Sequence, residues 1–394
     1  MMRKFVVTNM CVVAGLTRRT SARSLATSSA KPIKEAQVLP PEREITKSVF
    51  MSQSTDIYTN LAMEDWMYRN MDFSNHHVMM VWRNEPCVVI GRHQNPWLEA
   101  NVPFLGDKEI ALARRNSGGG TVYHDRGNLN ITFFTHRDRY DRKYNLEIIK
   151  RALYRSFGIK SLINERQDII VRDKYKISGT AAKLSRLTAY HHCTLLVNAN
   201  KADLSKALAK RETSATPSTP SPVVNLADLD NRVTVESLQT AIGYEYLRTP
   251  ALHIEDAGER HISQQRGFQF VNPTEDWYPG IAELRKELTT WEWCYGRTPE
   301  FTVSRSFPVP PELLSSKLYS ASQELIISMT VEKGLINDVT LNIPPGLIES
   351  GFHGEASVIT HLKGKRFTSE ALAALENAML TRHLSVSIAS DNIK

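Results

Sequence analysis

The segment Arg114-Arg115-Asn116-Ser117-Gly118-Gly119-Gly120-Thr121-Val122-Tyr123-His124-Asp125-Arg126-Gly127-Asn128 decides the reading of this chain. Three consecutive glycines bury no side chain and cost backbone entropy, so core packing does not explain them. They permit unusual dihedrals and let a ligand lie against bare backbone N–H groups, and successive inward N–H donors make an anion nest. The two arginines upstream add fixed positive charge suited to carboxylate or phosphate. A glycine-rich hairpin turn is the plain alternative for Gly118, Gly119 and Gly120 taken alone. The spacing fits neither the G-x-x-x-x-G-K-[ST] of P-loop sites nor the G-x-G-x-x-G of dinucleotide sites.

Two later segments carry further polar chemistry. Arg166-Gln167-Asp168-Ile169 is followed by Lys176-Ile177-Ser178-Gly179-Thr180-Ala181. Lys176 on a short strand is either a solvated edge residue or a point charge held at a developing oxyanion or phosphate. The third segment is Tyr190-His191-His192-Cys193-Thr194-Leu195-Leu196. Adjacent histidines on a strand point to opposite faces and make a poor bidentate metal pair. No other His/Cys cluster supports zinc, so no metal site is expected. Cys193 reads as a nucleophile or, more simply, as a buried strand cysteine.

The chain has 394 residues, enough for two domains. With 41% hydrophobic and 23% charged residues it is too apolar for a disordered chain. It has no apolar run long enough for a transmembrane helix. The net charge of +7 is carried by seven basic residues in 1–34, a segment without an acidic one. The remainder balances 42 basic against 42 acidic residues, so nucleic acid is not an expected partner. The Arg- and Ser/Thr-rich, acid-free segment 1–34 fits a mitochondrial transit peptide, with plastid targeting the nearest competitor and a basic tail the plain alternative. The four cysteines form no C-x-x-C pair and suit a reducing compartment, the matrix or the cytosol.

Residues 35–54 read as a polar linker. A helix is expected from Asp56, strands over His77–Trp82, Cys87–Ile90, Ile110–Ala113 and Leu129–Phe133, and a helix over about 145–157. Asp168–Val171 and Tyr175–Gly179 read as a hairpin, and His191–Val197 as a strand. A Ser/Thr/Pro loop spans 213–222, and helices follow at about 233–246 and 281–290. The texture changes near Thr298-Pro299. Strand Phe301–Phe307, a hairpin around Glu332-Lys333-Gly334 and a helix over Ser369–Met379 give a small second α+β domain.

The glycine segment, the lysine in Lys176-Ile177-Ser178-Gly179 and the His-His-x-Thr-Leu-Leu segment, in this order, resemble the lipoate–protein ligase family. Trp291-Glu292-Trp293-Cys294-Tyr295-Gly296-Arg297-Thr298-Pro299-Glu300-Phe301 is similar to that family's junction with its accessory domain. The wording of Gly91–Trp97, Thr121–Asp125 and Tyr190–Cys193 is most similar to the family's mitochondrial lipoyltransferase branch. The resemblance implies an α+β fold: a biotin/lipoate–protein ligase-like large domain over about 50–280, and a small α+β accessory domain over 298–394. It implies an acyltransferase of the mitochondrial matrix, expected to be a monomer. Such an enzyme moves a lipoyl group from lipoyl-AMP or lipoylated glycine-cleavage H protein to lipoyl domains of 2-oxoacid dehydrogenase complexes.

The acceptor lysine is then the nucleophile, so the enzyme contributes positioning and charge stabilisation. By the resemblance, Lys176 is the catalytic residue. Arg115, Ser117 and the backbone of Gly118, Gly119 and Gly120 hold the carboxyl and phosphate end. Tyr123, Arg166 and Thr194 match ligand contacts, with strand packing the plain alternative for Tyr123 and Thr194. Thr219 and Ser221 close over the adenylate. No tightly bound cofactor is expected. ATP and magnesium enter only if the chain is a complete ligase, and a non-catalytic binder of lipoyl domains is the reading from another class. Bacterial ligases carry glycine where this chain has Cys193, and octanoyltransferase relatives use a cysteine, which leaves an acyl-thioester route as a minor alternative.

Overall fold

The computed structural model describes residues 39–41, 44–209, 221–248, 258–309, 324–342, 362–368 and 371. In chain order the elements up to the glycine segment are β1 (Thr46–Ser52), α1 (Ile57–Asn70), β2 (His76–Trp82), β3 (Cys87–Ile90), α2 (Pro96–Glu99), α3 (Val102–Asp107) and β4 (Ala111–Arg114). Then come β5 (Val122–His124), β6 (Asn128–His136), α4 (Arg142–Phe157), β7 (Ser161–Ile163), β8 (Ile169–Val171), β9 (Tyr175–Lys176), β10 (Ser178–Leu184), β11 (Thr188–Leu196) and α5 (Lys201–Ala207). The last are α6 (Val235–Arg248), α7 (Glu259–Ser263), β12 (Gly267–Val271), α8 (Ile281–Thr289), α9 (Trp291–Cys294), β13 (Phe301–Pro308), β14 (Glu324–Glu332) and β15 (Leu335–Asn342).

The frame is a six-stranded mixed sheet in the order β10-β11-β6-β2-β1-β12. β1 runs parallel to β2 and β12, and the other pairings are antiparallel. Strand residues alternate between two buried faces. Val78, Met80, Trp82 and Phe134 pack one face against α1, α8 and the small sheet β4-β3-β5. Val49, Met79, Ile131, Phe133 and Cys193 pack the other against α4, α6 and the ribbon β7-β8-β9.

Local chemistry sets the helices. Asp56 caps α1 by accepting from Thr59 N at 3.0 Å. On α4, Leu146, Ile149 and Leu153 recur at helical spacing and are fully buried. Leu153→Ala would leave a cavity costing about 2–5 kcal/mol.

Two sequence expectations are corrected. Residues 35–54 are not all linker, because Thr46–Ser52 is β1, inside the sheet between β2 and β12. Its polar Lys47 and Ser48 disguise it, yet both are buried, with Ser48 Oγ hydrogen-bonded to His76 Nε2 at 2.8 Å. The second arm of the expected hairpin is split. Tyr175–Lys176 pairs with β8, whereas from Ser178 the chain pairs with β11 and joins the large sheet. Ile177, fully buried, is the crossing point.

The C-terminal strands form a separate antiparallel sheet in the order β13-β14-β15. Ile327, Met329, Val331, Ile336 and Val339 form its core with Leu362 and Phe367. Trp97 packs on Phe301 and Phe367, with ring centroids 5.5 and 5.2 Å away. Most of the expected helix over Ser369–Met379, and all of 1–34, lie outside the described residues.

Candidate functional site

A cavity of about 200 Å³ lies between the α1 face of the large sheet and the small sheet β4-β3-β5. Leu61 of α1, Trp82 of β2, Val89 of β3 and Val122 of β5 give it apolar walls. Arg142, Arg166, Asp168, Lys176 and Thr194 line it as well, and make it polar on the side of the β8–β9 hairpin. The cavity is thus a slot with apolar walls and charge gathered along one side, as small-molecule sites tend to be.

Lys176 is held there by side chain and backbone. Its Nζ is 3.0 Å from Asp168 Oδ1. Its N–H donates to Pro222 O at 2.8 Å, and it bridges to Val223 in parallel fashion. The segment after the Ser/Thr/Pro loop therefore runs alongside the lysine. Ser178 Oγ accepts from Ile169 N at 2.7 Å and Gly179 N donates to Thr194 Oγ1 at 3.1 Å, which fixes the strand crossing beside the lysine.

The glycine loop is braced by the guanidinium groups before it. Arg115, almost fully buried, donates from Nη2 to the carbonyls of Gly118 and Gly120 at 2.7 Å each. Its Nη1 donates to Val89 O at 3.1 Å and its Nε to Ser117 Oγ at 3.0 Å. Burial pushes this guanidinium down to about 10. Arg115 lines the cavity, but most of its donors hold loop backbone. The N–H groups of Gly118, Gly119 and Gly120 have no acceptor among the described residues, as a nest requires. Gly119 has φ +90 and lies against Gly91, where an added Cβ would stand 2.2 Å from Gly119 O.

Arg114 departs from expectation. It is fully buried and faces away from the cavity, donating to carbonyls of Gly91, Arg92, Gln94, Trp293 and Cys294 and to Thr298 Oγ1. It supplies no charge to a ligand.

The two histidines part as strand geometry requires. His191 stacks on Phe133 in the α4 face, whereas His192 lines the cavity. His192 Nδ1 is 2.9 Å from Glu64 Oε1, and its Nε2 is 2.9 Å from Ser117 Oγ. Burial alone would raise the Glu64 carboxyl, but His192 and Thr132 hold it below its ordinary value. With Nδ1–H donating to the carboxylate, the tautomer the network selects, Ser117 donates to Nε2. The order Ser-His-Glu matches a nucleophile triad, yet Ser117 does not line the cavity and its oxygen already accepts from Arg115. The triplet is a brace between α1, β11 and the glycine loop.

Of the residues singled out from sequence, Arg115, Gly120, Arg166, Lys176 and Thr194 line this cavity. Ser117, Gly118 and Gly119 sit directly beside it in the loop. Tyr123 is almost fully buried and packs in the α1 core. Ser221 is exposed next to the Pro222–Val223 segment that runs along Lys176, and Thr219 lies outside the described residues. Sequence reasoning gave no role to Glu64, Trp82, His124, Asn130 or Asp168. Asp168 and His124 carried a signal, Asp168 by its place in Arg166–Ile169 and His124 by its place in the glycine segment.

The sequence profile of the lipoyl protein ligase A/B catalytic domain matches residues 56–246. A mitochondrial lipoyl amidotransferase of Mus musculus is 41% identical over 305 residues, covering 75% of this chain and 76% of the mouse protein. That of Homo sapiens is 39% identical over 339 residues, covering 84% and 85%. The crystal structure of P. falciparum LipL1 in complex with lipoate superposes with a TM-score of 0.55 at 26% identity, covering 75% of this chain and 84% of that one.

Proposed function

The chain belongs to the lipoate–protein ligase family and is an acyltransferase, and we propose that it transfers a lipoyl group from an activated donor to the lysine of a lipoyl domain. The observation that carries this reading is Lys176, paired with Asp168 at a cavity with apolar walls and a charged side, whose glycine loop leaves three backbone N–H groups without acceptors among the described residues. The apolar walls suit the acyl chain, and the polar side suits the carbonyl and its leaving group.

In this proposal the donor is lipoyl-AMP or lipoylated glycine-cleavage H protein. The amine of the acceptor lysine adds to the acyl carbonyl carbon. Lys176 and the loop N–H groups stabilise the oxyanion that forms. The bond to AMP, or to the donor's lysine nitrogen, then breaks as the amide forms. The proton lost by the attacking amine leaves with the departing group or to solvent. Arg166 and Thr194 complete the grip on the ligand, while Thr219 and Ser221 border the adenylate. Lipoyl domains of 2-oxoacid dehydrogenase complexes are the acceptors. The setting is the mitochondrial matrix, reached with residues 1–34 as transit peptide, and the enzyme works as a monomer. The C-terminal sheet is part of an accessory domain spanning 298–394.

The test offers an apo lipoyl domain three donors in parallel: lipoate plus ATP and magnesium, lipoyl-AMP, and lipoylated H protein. Transfer from a preformed donor alone supports the reading. Transfer from lipoate plus ATP makes the chain a complete ligase, and no transfer from any donor leaves only a carrier-binding role.

A further inference from the structure

Arg114 is a cation fully buried among neutral acceptors. Its guanidinium makes seven hydrogen bonds, six to main-chain carbonyls and one to a hydroxyl. No carboxylate is among its partners in the described residues. Burial pushes it down to about 10. Burying a charge without a counter-ion is costly, yet an apolar side chain here would take donors away from five main-chain carbonyls. The guanidinium therefore serves as a link between chain segments.

Its partners identify those segments. Nε and Nη2 hold Trp293 O, Cys294 O and Thr298 Oγ1, in the segment that leads into β13 of the C-terminal sheet. The indole of Trp293 returns a bond to Arg114 O at 2.7 Å. Nη1 holds the carbonyls of Gly91, Arg92 and Gln94, in the turn after β3. That turn grips the glycine loop. Gln94 Oε1 accepts from Thr121 Oγ1 at 2.9 Å, Arg92 N donates to Ser117 O at 2.9 Å, and Gly91 lies against Gly119. One planar fork thus joins the foot of the C-terminal sheet to the loop that borders the cavity.

We infer that Arg114 is a positioning residue that makes the shape of the glycine loop, and so the hold on the acyl donor, depend on the seating of the Trp293–Thr298 segment. If that segment lifts, Arg114 loses half its acceptors while still buried, and the Gly91–Gln94 turn must move to resolvate it. Lys176 and Asp168 sit on the β8–β9 hairpin, outside this linkage, whereas the loop N–H groups that meet the acyl carbonyl lie within it, so donor binding and the chemical step both carry the dependence. This role rests on the donor reading proposed above.

The experiment uses the full chain and a hydrolysis-resistant lipoyl-AMP analogue, with binding measured by calorimetry and transfer by single turnover. Thr298→Val removes one acceptor of Arg114 and touches nothing in the cavity. It should weaken analogue binding roughly fivefold, within the range by which residues remote from a ligand couple to it, and slow transfer from bound donor severalfold, because the same loop meets the oxyanion. Arg114→Lys keeps the charge but not the fork and should weaken binding further. In a cycle with Thr121→Val, the double variant should lose less than the product of the single losses, since both cut one linkage. A folded Thr298→Val protein with lower thermal stability but unchanged analogue affinity, or multiplicative losses in the cycle, would overturn the role. Failure of the wild type to bind the analogue would overturn the donor reading, and this role with it.

Discussion

The Lys176 ammonium stands 3.0 Å from the Asp168 carboxylate, across the two arms of the β8–β9 hairpin. The lysine side chain is 30% exposed, so the pair adds little to stability, about 0–1 kcal/mol. Its value lies in position. A flexible four-carbon stem otherwise samples many rotamers, and the carboxylate holds the ammonium against the cavity. Two losses of different size follow. Lys176→Ala should slow single-turnover transfer from lipoyl-AMP by about 100-fold or more, close to 3 kcal/mol, as for removal of one oxyanion donor. Lys176→Arg should rescue poorly, because a planar fork does not occupy the place of a compact ammonium. Asp168→Asn should cost about tenfold, because the lysine stays but loses its anchor. Circular dichroism and melting temperature should barely change in all three. Wild-type rates in a folded Lys176→Ala protein would sink the assignment.

The site was legible where chemistry is local in sequence. The glycine loop, Lys176, Arg166 and Thr194 sit in short segments whose residue types already point to a ligand. Arg114 and Arg115 read alike in the sequence, yet the structure sends one to the cavity and the other to the junction with β13. That divergence follows from the direction in which successive strand residues project, together with partners 179 and 184 residues away, Trp293 and Thr298. Glu64 was illegible because its role comes only from packing α1 over β11, which brings it to His192. The strands over His77–Trp82 and Cys87–Ile90 were plain as apolar runs. β1 was not, because a strand flanked on both sides can bury Lys47 and Ser48 when the sheet supplies partners.

The place of β1 sets a boundary for truncation. Removing residues 1–34 should leave transfer activity intact, since no segment of the site lies there. Removing residues 1–54 should abolish soluble folded protein, because it deletes the strand that joins β2 to β12 and takes Val49 out of the core. Thermal melts and transfer assays on both truncations decide it. A folded, active protein lacking 1–54 would contradict the sheet order.

Acid should destabilise this fold well above the carboxylate range. Burial pushes His124 and His77 down to about 3, and His76 down to about 4. Each is lowered relative to the unfolded chain, so the unfolded state binds the extra protons. Stability is therefore fully present above about pH 6.5 and falls as the pH drops from there toward 3, by up to about 1.4 kcal/mol per pH unit for each of the buried His124 and His77 and by less for the partly exposed His76. Urea midpoints should fall steadily between pH 7 and pH 5. His124→Gln should flatten part of that slope even if it lowers the midpoint at pH 7. A pH-independent midpoint over this range would contradict the burial of these rings.

Cys193 tests the thioester alternative. Its side chain is 1% exposed and packs in the α4 face with Ile131 and Leu195, although the residue borders the cavity. Burial pushes its thiol up to about 12, so near neutral pH only a minute fraction is thiolate, the form that attacks a carbonyl. No basic side chain lowers it: His191, on the same face, is stacked on Phe133, and His192, on the opposite face, is engaged with Glu64 and Ser117. Cys193→Ala should therefore keep most transfer activity and lose about 1 kcal/mol of stability. Mass spectrometry of the wild type during turnover should show no acyl adduct on this residue. An adduct of lipoyl mass on Cys193, or lost turnover in a folded Cys193→Ala protein, would move the nucleophile from the acceptor's amine to the enzyme.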